Sequence, residues 1–156
     1  MNPPSLKITM RNNMPELADV AEQLRIFMRS VAIPQKMTYV ISLSFEEMVS
    51  NIIKYGYDDE LTHEISVCLS CDGDSIKLRL ADDGHPFDPL SVKEPDTGAS
   101  ISERDIGGLG IHLVKEMADS VDYKREGGLN ILDISVSMPS RDEGEGNNNS
   151  VKRANT

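Results

Sequence analysis

Glu47 and Asn51 stand four residues apart in Phe45-Glu46-Glu47-Met48-Val49-Ser50-Asn51. On a helix they are separated by about 40° and lie one turn above each other on one face. A carboxylate there can orient or deprotonate a hydroxyl. An amide oxygen beside it can ligate Mg2+, which takes only one or two protein oxygens when it accompanies a nucleotide and keeps several waters. Glu46 is five residues from Asn51, about 140° round the helix, and is set aside as a base. A second stretch is Asp82-Asp83-Gly84-His85-Pro86-Phe87-Asp88-Pro89. A carboxylate closing a strand can accept a hydrogen bond from an adenine amino group. Gly84 permits an approach that a side chain would block. The third is Gly107-Gly108-Leu109-Gly110-Ile111. Amides at a helix N-terminus, opened by glycines, suit phosphates. No Lys-Ser or Lys-Thr follows, as a Walker loop requires, and no βαβ unit surrounds the glycines, as a Rossmann fingerprint requires. Each pattern alone recurs by chance as an exposed helix edge, an Asp-Gly turn or a glycine hinge.

The elements that must position these residues follow from periodicity. Leu6, Ile8 and Met10 alternate over 5–10 and predict a strand. Leu17, Val20, Leu24, Phe27 and Val31 recur at helical spacing behind Pro15. Pro34 opens a second helix to about Tyr57, its buried stripe expected at Ile41, Phe45, Met48, Ile52 and Tyr55, widened by Val40, Val49 and Ile53. Two alternating runs, Ile65-Val67-Leu69 and Ile76-Leu78-Leu80, flank Asp72-Gly73-Asp74 and predict a hairpin. Residues 85–106 lack periodicity and predict a lid over a site, ended by Gly107 and Gly108. A helix is expected from about Leu109 to Ser120, with Ile111, Val114 and Met117 on its apolar side. A hairpin around Gly127-Gly128 joins 123–125 to 129–138. This order predicts an α+β, two-layer sandwich: a mixed, mostly antiparallel sheet with three helices on one face. The domain spans 5–138, and the polar stretch 139–156 is expected to be a disordered tail.

Composition narrows the partners. The chain has 156 residues, a formal charge of −10, and 26 acidic against 16 basic residues. A nucleic-acid surface shows the opposite balance, and 4% aromatics without Trp offer few stacking platforms. No stretch reaches the roughly 18 apolar residues of a membrane span. Met1-Asn2-Pro3-Pro4 does not open a signal peptide, so a cytoplasmic protein is expected. Cys68 and Cys71 have a metal-like spacing without a second pair, and on a strand their thiols face opposite sides. His63, His85 and His112 show no metal spacing, and the eight methionines are expected in the core or on a partner surface.

Joined in this order, the three stretches resemble the GHKL ATPase superfamily with its Bergerat nucleotide pocket, over roughly Leu6 to Met138. Within it the chain looks most like the small anti-sigma-factor serine/threonine kinases. Glu47 to Tyr57 resembles their N-box with trailing aromatics, and His85-Pro86-Phe87-Asp88-Pro89 their first glycine box, although many GHKL members have glycine at the position of Pro86. Gly108-Leu109-Gly110-Ile111-His112-Leu113-Val114 matches the second box. The resemblance implies Glu47 as catalytic base and Asn51 as Mg2+ ligand. It implies a nucleotide site of Asn51, Tyr55, Asp82, Gly84, Pro86, Phe87, Gly107, Gly108, Leu109, Gly110 and Ile111, with Arg104, and Lys93 behind it, toward the terminal phosphate. It further implies ATP and Mg2+ as cofactors, a homodimer, binding of a sigma factor and phosphorylation of a STAS-type antagonist. Two other readings use the same residues. A non-catalytic, ATP-gated protein-binding switch would not need Glu47. A histidine-kinase-type catalytic domain acting in trans would need its phosphoacceptor histidine from another chain.

Overall fold

The computed structural model describes residues 2–91 and 103–137, and for 103–108 the backbone alone. Five strands and three helices follow the order β1 (Ser5–Arg11), α1 (Met14–Ser30), α2 (Gln35–Tyr55), β2 (Glu64–Asp72), β3 (Ser75–Asp82), α3 (Glu103–Met117), β4 (Ser120–Glu126) and β5 (Leu129–Ser137), with a 3-10 turn at Pro89–Ser91.

Local chemistry sets the helix ends. The Asn13 side chain accepts a hydrogen bond from the Glu16 amide at 2.8 Å and caps α1, an arrangement contributing about 1 kcal/mol. At the other end the Ala32 amide bonds the Arg29 carbonyl and the Ile33 amide the Met28 carbonyl. This double closure puts Ala32 at φ 56° and sends buried Ile33 into the core. Helix α2 is the central one, packed between α1 and α3. It buries Met37, Val40, Ile41, Phe45, Met48 and Val49.

The sheet order is β1-β2-β3-β5-β4. Every pairing among the described residues is antiparallel, so no parallel pair appears there. The two-residue turn at Gly127 and Gly128 has φ of 59° and 77°, which matches the twist of the strands it joins. Period-two alternation buries Ile65, Val67, Leu69, Ile76, Leu78, Leu80, Leu132, Ile134 and Val136. The other sheet face is polar. Across it Lys7, Cys68, Arg79 and Asp133 lie in register, and Arg79 binds Asp133 in a fork at 2.7 and 2.8 Å. Both cysteines are free, Cys71 buried and Cys68 half-buried, as their odd spacing on a strand requires.

Three boundaries differ from the sequence reading. Helix α2 ends at Tyr55, which is 69% exposed and lies outside the buried stripe. The Gly56 amide caps it by bonding the Ile52 carbonyl at 2.8 Å. Strand β4 begins at Ser120 rather than Tyr123, because α3 already ends at Met117. Helix α3 starts at Glu103, so Gly107 and Gly108, expected to end the loop ahead of it, lie inside it. Half of the expected lid, at 92–102, and the tail with Met138 fall outside the described residues. No described helix is long and apolar enough to cross a membrane.

Candidate nucleotide site

The end of β3 is pinned to the end of α2 by two glycines. A Cβ at Gly84 would lie 2.6 Å from the Gly56 carbonyl oxygen, and the His85 amide donates to that same oxygen at 2.8 Å. Asp82 is thereby held 5% exposed at the base of the helix layer. Its Oδ2 accepts from the Gly84 amide at 3.0 Å and from Asn130 Nδ2 at 3.1 Å. Among the described residues nothing donates to Oδ1, so one acceptor remains for a ligand amino group. Burial pushes the Asp82 carboxyl above the ordinary value, against the opposing hydrogen bonds of Asn130 and Gly84.

Asn130 was not singled out in the sequence, yet it organises this corner. Its Nδ2 also donates to the His85 carbonyl at 2.7 Å. Its Oδ1 accepts from the Tyr123 hydroxyl at 2.6 Å and the Phe87 amide at 3.3 Å. Arg125 adds a bond from Nη1 to the Gly84 carbonyl at 2.7 Å. The closing hairpin thus shapes the loop that carries Gly84, Pro86 and Phe87. The only signal in the sequence was an asparagine at an inward-facing strand position, where a polar side chain needs partners.

On α2, Glu47 and Asn51 are both half-buried. Burial raises the Glu47 carboxyl above its ordinary range; Lys54 opposes this and Glu46 adds to it. Its side chain packs directly on Gly110 of α3, so that an added methyl there would overlap the carboxylate. The Asn51 side-chain nitrogen is buried with no hydrogen-bond partner among the described residues. A buried amide nitrogen without a partner, one turn from a carboxylate, fits an acceptor such as a phosphate oxygen, and the oxygen of the same amide is the atom that would ligate Mg2+.

The remaining expected residues divide. Pro86 and Phe87 are exposed on the loop, Phe87 by 45%, and Tyr55 projects outward. Leu109 is 47% exposed, whereas Ile111 is 3% exposed and its side chain serves the core. Gly107 and Gly108 are helical, and their amides belong to a continuous α3. The Arg104 side chain and Lys93 lie outside the described residues. No group of three or more His, Cys, Asp or Glu among the described residues is arranged to hold a metal.

A pocket of about 410 Å³ opens behind the same loop, lined by Gly56, Tyr57, His63, Asp83, His85 and Arg125 among others. Tyr57 stacks on His63 with centroids 4.0 Å apart and planes 15° off parallel. The Tyr57 hydroxyl is buried and lies near Asp82 and Asp83; burial first and then those carboxylates push its ionisation above the ordinary range.

Residues 11–136 match the histidine kinase-like ATPase domain. The chain belongs to that family. This ATPase domain is 23% identical over 100 residues to the serine/threonine-protein kinase BtrW of Bordetella bronchiseptica, covering 64% of this chain and 70% of BtrW. It is 26% identical over 96 residues to the serine-protein kinase RsbW of Bacillus velezensis, covering 58% of this chain and 59% of that protein. With RsbW of Bacillus subtilis it shares 23% over 117 residues, 69% and 72% of the two chains. The matched part therefore spans between about three-fifths and three-quarters of these relatives. The RsbU and RsbW domains from Mycobacterium tuberculosis superpose with a TM-score of 0.63 at 16% identity, covering 86% of this chain and 32% of that one. The SiaB-SiaC complex of Pseudomonas aeruginosa gives 0.53 at 11%, covering 85% and 89%. Both likenesses establish the α+β fold of the ATPase domain.

Proposed function

We propose that this ATPase domain is a Mg-ATP-dependent serine/threonine protein kinase of the anti-sigma type. The observation that carries the reading is Glu47, a half-buried carboxylate with a raised affinity for protons, one turn from an unpartnered Asn51 amide. Relatives named as serine kinases support it. The adenine amino group donates to Asp82 Oδ1, and Gly84 lets the base lie against the strand end. Asn51 would hold Mg2+, which supplies neutralisation of charge on the phosphates when bound. A serine or threonine hydroxyl of the acceptor protein attacks the γ-phosphorus in line. The new O–P bond forms as the bond to the β–γ bridging oxygen breaks, Glu47 takes the hydroxyl proton, and ADP leaves. A carboxylate of raised pKa is a better base near neutral pH than an ordinary glutamate.

The acceptor is a STAS-type antagonist, and the second partner, bound in exchange, is a sigma factor. The working unit is a homodimer in the cytoplasm. The deciding experiment compares wild type and Glu47→Ala with labelled ATP and the cognate STAS protein. Phosphoprotein should form with wild type and fall by about 10²–10⁴-fold in the variant, with nucleotide still bound. If partner exchange survives unchanged in Glu47→Ala without phosphoprotein in either, the domain is an ATP-gated switch and not a kinase. One observation favours that alternative: α3 runs helical through its glycines and covers Glu47, so ligand-driven remodelling of that helix could itself be the signal.

A further inference from the structure

Two imidazole–carboxylate bridges cross from the turn after α2 to the loop after β3, and they run in opposite directions. His63, on the turn, reaches Asp83 on the loop at 3.3 Å. Asp58, on the turn, is met by His85 from the loop at 2.9 Å. Asp83 and His85 flank Gly84 and directly follow Asp82, so both bridges grip the segment assigned to adenine.

His63 is the better held of the two. Its side chain is 18% exposed against 51% for His85. Its other nitrogen binds Asp59 at 2.7 Å, and its ring stacks on Tyr57. Its backbone is fixed as well: the His63 amide donates to Asn12 Oδ1 at 2.8 Å, and its carbonyl accepts from the Asn12 amide at 3.0 Å. The groups facing it are Asp59 and Tyr57 from its own turn and Asp83 from the strand end. His85 with Asp58, and Arg125 from β4, share the same pocket wall. An imidazole with a carboxylate at each nitrogen donates twice only when protonated.

We infer that His63 is a positioning residue of the nucleotide site, its imidazolium clamping Asp83, and with it the Asp82–Gly84 segment, to the turn that leads into β2. The inference rests on the reading of that segment as the adenine site. Asp59 first, and Asp83 after it, raise the proton affinity of His63 above the ordinary value. The clamp is thus fully present below about pH 6.5 and is lost as pH rises through the raised value.

The test uses the full chain and Mg-ADP, with affinity measured calorimetrically from pH 5.5 to 8.5 in wild type, His63→Gln and His85→Gln. The ratio of His63→Gln to wild-type Kd cancels titration of the nucleotide itself. It should be about five at the acid end and approach one at the alkaline end. Without nucleotide, amide exchange at Gly84 and His85 should be faster in His63→Gln than in wild type at pH 6 and equal at pH 8.5. His85→Gln, on the more exposed bridge, should change both readouts less. A ratio independent of pH, with binding intact, would make His63 merely structural and overturn the clamp. Absence of binding in every protein at every pH would instead overturn the nucleotide reading, and the exchange measurement would still judge the clamp.

Discussion

At the scale of single residues the site depends on what is missing as much as on what is present. Gly110 has no side chain because the Glu47 carboxylate occupies that space. Gly110→Ala should push α3 or the carboxylate aside at an overpacking cost of about 1–3 kcal/mol, offset by the roughly 1 kcal/mol that alanine gains over glycine in a helix, so the urea midpoint should stay level or fall. A variant more stable than wild type by the full helix-propensity gain would mean that Glu47 swings clear at no cost. Asn130 is a different case, since it satisfies four groups at once: Asp82, the His85 carbonyl, the Tyr123 hydroxyl and the Phe87 amide. Asn130→Ala leaves those groups short of partners. It should cost about 2 kcal/mol of stability and weaken adenine nucleotides together with adenosine, which lacks phosphates. An affinity loss confined to the triphosphate would contradict this account.

Helix α3 raises the question at the scale of an element. Three of the four residues in Gly107-Gly108-Leu109-Gly110 are glycine, each disfavoured in a helix by about 1 kcal/mol relative to alanine. The segment is nevertheless helical. On the proposed nucleotide reading, phosphates would take the amides of Gly108 and Gly110 only after these leave their intrahelical bonds, and low helix propensity makes that release cheap. Gly108→Ala should therefore strengthen the helix and weaken Mg-ATP by about five-fold, measured by calorimetry beside far-ultraviolet circular dichroism. Unchanged affinity with a more stable helix would place the phosphates elsewhere.

Across the whole molecule, charge divides between the two sheet faces. On the polar face Arg79 holds Asp133 below the usual carboxylate range, its hydrogen bonds being the largest cause. Such a group contributes stability above its unfolded value, near 3.9, and the contribution disappears as pH falls through the lowered folded value. Arg79→Met should thus lower stability by about 0.5–1 kcal/mol at pH 6, with the gap closing as acid is added below pH 4. A gap constant down to pH 2 would assign the loss to packing of the Arg79 stem. Asp82 and Glu47 have the opposite sign, because burial raises both. Their ionised forms weigh against the fold above the ordinary carboxylate range, and protonation relieves this as pH falls through the raised values. The site therefore spends stability that the sheet and its ion pair supply.

Much of this was legible along the chain. Alternation in β2 and β3 and the helical stripe at Ile41, Phe45 and Met48 were readable because burial repeats with the period of each element. The placement of Glu47 with Asn51 on one helix face, and of Asp82 with Gly84 at one strand end, was readable because each pair is local. Tyr55 misled, since an apolar residue at the end of a stripe can still fall beyond the core. Helix α3 began six residues earlier than its periodicity suggested, and runs through glycines that propensity disfavours in a helix. What no local pattern could supply was the meeting of distant segments. Asn130 reaches Asp82 across 48 positions, and His63 reaches Asp83 across 20. Hydrogen bonds between residues so far apart depend on strand order and register, which the tertiary structure alone decided. The sequence determined which residues share a helix face or a strand end; the fold decided which distant neighbours hold them in place.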